Sequence, residues 1–216
     1  MKNIIFDFDS TVIKGESLEI LLEPLLTADP EKLVEIEKIT NMGMAGELDF
    51  KTSLQRRLAI AQPTKQAIDD FVAANCPSVF TDGMVELIAK LHNAGHNVWI
   101  FSGGLADSIR PFAKYLNIPT ENVYAVEINW DNNGQFIELD MDNGAVDSKV
   151  VAFGKVKDKF ANCENIIVGD GFTDYQLFES GLCGKFVAYV EHAQRENVLA
   201  KAKFVAKNVM ELENLL

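Results

Sequence analysis

Cationic side chains are scarce in this chain: 20 lysines and arginines stand against 32 aspartates and glutamates, a formal charge of −12 at neutral pH. Nucleic acids and anionic membranes are bound through clustered cations, so this balance argues against both as partners. Cysteine is rarer still. Cys76, Cys163 and Cys183 are odd in number, scattered and without CxxC spacing, which suggests neither a disulfide framework nor a zinc site and predicts buried thiols. His92, His96 and His192 also lack metal-ligand spacing. No apolar run approaches the roughly 20 residues that span a bilayer, and the N-terminus lacks the pattern of a signal peptide, so the expected location is the cytoplasm.

What is present begins with Ile4-Ile5-Phe6, an apolar run that predicts a buried strand ending in Asp7-Phe8-Asp9-Ser10-Thr11. Alternation along a strand would put Asp7 and Asp9 on one side and crowd two negative charges. A hard divalent cation, Mg²⁺, relieves that repulsion and suits oxygen ligands. With the charge screened, one carboxylate can attack a phosphoryl group and form an aspartyl phosphate, while the other protonates the leaving oxygen and later activates water. By itself, an acidic turn closing a strand accounts for the pair equally well.

The 216 residues suffice for one good-sized core with a smaller insert. From Glu16 to about Asn75 only helical spacing appears, in the stripes Leu18, Leu21, Leu22, Leu25; Leu33, Ile36, Ile39; and Phe50, Leu54, Leu58. Pro24, Pro30, Pro63 and Pro77 are expected to punctuate these helices. From Thr81 onward strand and helix alternate. Strands are expected at 97–101, 123–126, 165–168 and 185–189, with a hairpin of 127–130 and 135–139 around Asp131-Asn132-Asn133-Gly134 and a small strand near Phe204. This alternation predicts an α/β fold, a doubly wound parallel sheet flanked by helices. Residues 1–13 and 80–216 would form it, and 14–79 an inserted helical domain.

Ligands of such sheets sit beyond the carboxyl ends of the strands. Three further polar clusters fall there. Ser102-Gly103-Gly104 is expected to open a helix, where free amides and the dipole favour a phosphate, although a plain βα turn reads the same. Asp147-Ser148-Lys149 begins another helix. A lysine in a first turn is opposed by the dipole, so Lys149 suits a site that holds an anion, and it also suits an ordinary surface. Gly169-Asp170-Gly171-Phe172-Thr173-Asp174 ends a strand: Asp170 can complete a metal shell, and Asp174, one turn on, can orient a metal-bound water, pair with Lys149, or simply cap its helix.

Four clusters after four strands supply nucleophile, acid/base, phosphate donors, cation and metal ligand. Together they resemble the four motifs of the haloacid dehalogenase superfamily of phosphohydrolases. The second acid, Asp9, places the resemblance among its phosphatases, and Asp7-Phe8-Asp9-Ser10-Thr11 reads like the opening motif of the phosphoserine phosphatase family. The stretch from Met44 through Arg57 resembles that family's cap segment. In Phe50–Leu58 a turn of 100° per residue aims Arg57 toward the apolar face and Arg56 toward water, as for a carboxylate ligand or for a snorkelling boundary arginine.

The resemblance implies a Rossmann-like core with a helical cap, Mg²⁺ as cofactor and a small phosphorylated molecule as partner. Asp7 is then the nucleophile and Asp9 the acid/base, with the metal held by Asp7, Asp170 and the Asp9 backbone carbonyl. Ser102, Gly103 and Lys149 would hold phosphate, Arg57 the substrate carboxylate, Glu16 its ammonium, and Met44 and Phe50 the pocket walls. Glu16 is equally a favourable acid at a helix start. Thr173 departs from the asparagine usual there, and a hydroxyl offers a shorter reach. The function implied is hydrolysis of phospho-L-serine, the last step of serine formation. Alternatives are a phosphatase or phosphotransferase for another small metabolite, and a receiver-type phospho-aspartate signalling module.

Overall fold

The apolar opening run forms β1, Lys2–Phe6, whose Ile4, Ile5 and Phe6 are completely buried. In the computed structural model, which describes residues 1–216 apart from Ala28, Ala45, Gly46 and Ala161 and gives only the backbone at Asn41, Gly43 and Met44, this strand is the middle of a seven-stranded sheet. Helices follow it: α1 Ser17–Leu26, α2 Pro30–Met44, α3 Phe50–Ala61, α4 Lys65–Asn75 and α5 Met84–Asn93. Then come β2 Asn97–Leu105, α6 Ala106–Tyr115, β3 Val123–Trp130, β4 Phe136–Asp140, α7 Lys149–Val156, β5 Glu164–Gly169, α8 Phe172–Glu179, β6 Lys185–Tyr189, α9 Glu196–Leu199, β7 Phe204–Ala206 and α10 Val209–Leu215.

The spatial order is β4-β3-β2-β1-β5-β6-β7. Every pairing is parallel except β3 with the edge strand β4. Helices α5, α6, α7, α8 and α10 pack on the sheet, the doubly wound arrangement that alternating strand and helix predict. Side chains supply the helix starts: Asp49, Thr64, Ser148 and Asn208 cap α3, α4, α7 and α10 by accepting from the backbone N–H three residues on. No helix among the described residues is long and apolar enough to cross a membrane.

Several local expectations differ. Pro24 lies inside α1 rather than ending it. It forfeits one helical hydrogen bond, yet Leu21, Leu22 and Leu26 are buried on that helix, and packing of an apolar face outweighs a single bond. The hairpin's first arm is the continuation of β3 and not a separate strand. Of the cysteines only Cys183 is buried; Cys76, just beyond α4, and Cys163, just before β5, are half-buried at element ends.

The two chain segments that lead into and out of the α1–α4 region pair with each other through an Ile13–Phe80 bridge, with Lys14 N–H donating to Val79 O (2.9 Å) and Thr81 N–H to Val12 O (3.0 Å). Phe112 of α6 lies at the junction. Its ring meets Phe8 after β1 (5.5 Å), Phe71 of α4 (5.9 Å) and Phe80 (5.5 Å). One aromatic cluster therefore ties sheet, helical segment and linker together. Phe112→Ala is expected to destabilise the protein by about 3–5 kcal/mol, read from the urea midpoint at unchanged slope; a loss under about 1 kcal/mol would mean that the junction carries no such weight.

Candidate active site

β1 stops at Phe6, and the chain turns at once into a short helical turn, Phe8–Val12, with Ser10 in left-handed backbone (φ 50°). Asp7 and Asp9 both keep extended backbone (φ −66°, ψ 157° and φ −66°, ψ 141°), but they lie beyond the paired strand, so the period-two expectation of one shared strand face does not apply to them. Asp7 instead accepts from Phe8 N–H at Oδ1 (2.7 Å) and presents Oδ2 to the Lys149 ammonium (2.8 Å). Asp9 points toward α1, where Ser17 N–H donates to its Oδ1 (2.8 Å).

The carboxyl ends of β1 and β5, with the first turn of α7, deliver the other charges. Lys149, only 7 % exposed, is the first residue of α7 and bridges Asp7 and Asp174 Oδ1 (2.6 Å). Asp174 is completely buried, and its Oδ2 accepts from Gly171 N–H (3.1 Å), closing the start of α8. A Cβ at Gly169 would fall 2.3 Å from the Asp174 carboxyl carbon, so only glycine lets β5 pass that close. Asp7, Asp170 and Asp174 each bring an oxygen within 4.8 Å of the others.

Three buried carboxylates around one lysine leave negative charge uncompensated, and their oxygens suit a hard divalent ion such as Mg²⁺. Asp7 and Asp174 each have one oxygen on Lys149 and the other on a backbone N–H, and Asp170 Oδ2 meets Arg195, so among the described residues Asp170 Oδ1 is the freest of these oxygens. The titration directions express the same imbalance. Burial pushes Asp9 up from 3.8 to about 8, with Glu16 and Asp7 adding repulsion and Ser17 opposing. Burial, then repulsion from Asp7, raises Asp170 and Asp174. Burial alone would discharge Lys149, but Asp174 and Asp7 outweigh it and hold the ammonium protonated.

Ser102-Gly103-Gly104 does not open a helix. β2 runs on to Leu105 with a register irregularity against β3 between Phe101 and Leu105, and α6 starts only at Ala106. Ser102, buried, accepts from Gly104 N–H through Oγ (3.0 Å). A Cβ on Gly103 would lie 3.0 Å from the Phe50 ring, so α3's first residue sits directly over this loop. Phe50 itself is 43 % exposed. Lys51 approaches Asp147 (3.7 Å) beside it.

Glu16, at the start of α1, accepts from Ser10 Oγ (2.8 Å). On α3, Arg56 is exposed and Arg57 half-buried, as the helical wheel requires, and the Arg57 Nε is buried with no partner. Burial lowers the Arg57 pKa, with the charges of Glu19 and then Glu16 opposing. Thr173 is exposed on the first turn of α8. The side chain of Met44 lies outside the described residues.

Two residues escaped the sequence reading. Arg195, after β6, donates through Nε to Asp170 Oδ2 (2.9 Å) and brings Nη2 to 3.9 Å from Glu16 Oε1. It lies at a strand's carboxyl end, the one available signal, but in an irregular segment that shows no periodicity. Ser17, next to Glu16, only begins a helix and has no motif.

The raised carboxyls make stability fall with pH. Asp9 titrates near 3.8 in the unfolded chain and near 8 when folded, so the folded state binds more protons between those values, and its advantage is lost as pH climbs through them. In chelator, Tm is expected to fall from pH 5 to pH 8, with a smaller slope in Asp9→Asn and in wild type with Mg²⁺. A Tm rising over that range would contradict the charge balance.

The model of haloacid dehalogenase-like hydrolases matches residues 4–179. Phosphoserine phosphatase of Rattus norvegicus is 30 % identical over 213 residues, covering 97 % of this chain and 90 % of the rat protein. A phosphoserine phosphohydrolase-like protein from Francisella tularensis subsp. tularensis SCHU S4 superposes with a TM-score of 0.92 at 58 % identity, over 100 % of both chains. A phospho-aspartyl intermediate analogue of phosphoserine phosphatase shares the fold, with a TM-score of 0.76 at 22 % identity over 100 % of this chain and 98 % of the other. Acids gathered at adjoining strand ends about a buried lysine, on a chain that this family model spans almost from the first strand through α8, make the protein a haloacid dehalogenase-like hydrolase.

Proposed function

We propose that the protein hydrolyses phospho-L-serine to serine and phosphate through a transient aspartyl phosphate on Asp7, with Mg²⁺ as cofactor, as the last step of serine formation in the cytoplasm. The observation that carries the chemistry is the buried Lys149 gripping Asp7 and Asp174, with Asp170 at hand. Asp7, Asp170 and the Asp9 backbone carbonyl would hold the ion. A bound Mg²⁺ supplies charge screening that lets an anionic phosphate approach an anionic nucleophile.

The protein's own groups do the rest. An Asp7 carboxylate oxygen forms a bond to phosphorus as the bond from phosphorus to the serine oxygen breaks. Asp9, its pKa lifted to about 8, still holds a proton near neutrality and gives it to that oxygen. Asp9 then takes a proton from the water that cleaves the aspartyl phosphate. Lys149 steadies Asp7 and offsets the charge gathering on the phosphoryl oxygens, joined by the Ser102 hydroxyl and the Gly103 N–H. Asp174 keeps Lys149 in place.

The choice of ester rests on the helical segment and on the names of the relatives. The unpartnered Nε of Arg57 supports capture of a carboxylate, and Glu16 supports an ammonium contact. Phe50 and Met44 would wall the pocket, and Thr173 would add a hydroxyl at its rim. Residues 14–79 act in this reading as a cap on the core formed by 1–13 and 80–216, closing over the phosphate to exclude bulk water.

Purified protein with Mg²⁺ is expected to release phosphate from phospho-L-serine, and chelation or Asp7→Asn to abolish release. Turnover retained by Asp7→Asn would refute the covalent route. Arg57→Ala should lower kcat/KM for phosphoserine by about 10–100-fold, the worth of charge-assisted hydrogen bonds, while p-nitrophenyl phosphate, which has no carboxylate, changes far less. Equal losses on both esters would remove Arg57 from substrate recognition.

A further inference from the structure

The Ser17 side chain is unexplained by any role above. It is the first residue of α1 and 1 % exposed, and its hydroxyl makes no hydrogen bond of ordinary geometry although no solvent reaches it. Buried hydroxyls are normally satisfied, so one left open beside reacting groups calls for a reason. Its surroundings supply one. The same residue's backbone N–H already holds Asp9 Oδ1 at 2.8 Å. The hydroxyl oxygen and the other Asp9 oxygen, Oδ2, border one small space: a Cβ built on Gly104 would lie 3.1 Å from Ser17 Oγ and 3.2 Å from Asp9 Oδ2. Glycine at 104 is what lets the β2 backbone close over both oxygens.

We infer that Ser17 is a positioning residue for Asp9, its hydroxyl held ready to donate to Oδ2 once Asp9 has given up its proton. This rests on the proposed phosphoryl transfer to Asp7. In that step the Asp7 oxygen bonds to phosphorus, the bond between phosphorus and the ester oxygen breaks, its electron pair goes to that oxygen, and the Asp9 proton follows. Asp9 is left as a carboxylate in a half-buried place. The Ser17 amide then serves one oxygen and its hydroxyl the other, so the charge is shared by two donors from a single residue and the side chain keeps its aim.

Leaving groups separate this role from simple packing. Departing serine is an alkoxide and needs the proton; p-nitrophenolate is a stable anion and does not. Because kcat/KM ends at the first irreversible step, it reports phosphorylation of Asp7 and leaves out the later hydrolysis common to both esters. Ser17→Ala is expected to lower kcat/KM for phosphoserine by about 10-fold, one hydrogen bond's worth, with p-nitrophenyl phosphate changed by less than about 2-fold. Ser17→Thr, which keeps a hydroxyl, should hold the wild-type ratio of the two esters. Equal losses on both esters, no loss on either, or a threonine variant with the alanine ratio would overturn the assignment. Wild-type protein that releases phosphate from neither ester would instead overturn the proposed function beneath it.

Discussion

An ammonium buried between two carboxylates governs this molecule. Lys149 has almost no contact with solvent, and a lone charge in such a place would cost several kcal/mol, so its contacts with Asp7 and Asp174 are a condition of its being there. The surrounding backbone is shaped to permit them. Gly169 leaves room for the Asp174 carboxylate, Ser148 caps α7 so that Lys149 begins it, and β1 ends one residue before Asp7. The pairing stays unbalanced, because Asp170 adds a further buried acid and Arg195 only partly answers it. The deficit of positive charge suits the site to a cation, and in the proposed reaction that cation, together with Lys149, would keep the acidic site from repelling the substrate.

Around that centre the charges follow a gradient. The core side gathers carboxylates and Lys149 at the ends of β1 and β5, while α3 contributes Arg57, whose guanidinium feels the charges of Glu19 and Glu16. Arg195 spans the two regions by touching Asp170 and approaching Glu16. The Phe50 ring over Gly103 and the Lys51–Asp147 approach show the helical segment lying against the Ser102-Gly103-Gly104 stretch.

The sheet was legible because its strands are apolar runs bounded by turn residues, and the parallel arrangement followed from alternation with helices. Asp7, Asp170, Lys149 and Asp174 were legible for the same reason, since each falls at a strand end or in the first turn of the helix beyond. The misreadings came where backbone geometry departs from period. The strand-face argument for Asp9 failed because the paired strand ends at Phe6, a stop that the sequence does not signal, and β2 outlasted its apolar residues because glycines can stay extended as readily as they can turn. Arg195 and Ser17 were missed because an irregular segment and a helix start carry no pattern, and their importance lies only in what they touch.

The account stands on phosphate passing through one side chain. Acid quench of the protein during turnover of phospho-L-serine, followed by borohydride reduction and peptide mass spectrometry, reads that directly, since borohydride converts an aspartyl phosphate to homoserine. The account predicts homoserine at position 7 in the N-terminal peptide and nowhere else. Turnover with no modified residue, or with the mark on Asp9, Asp170 or Asp174, would contradict it.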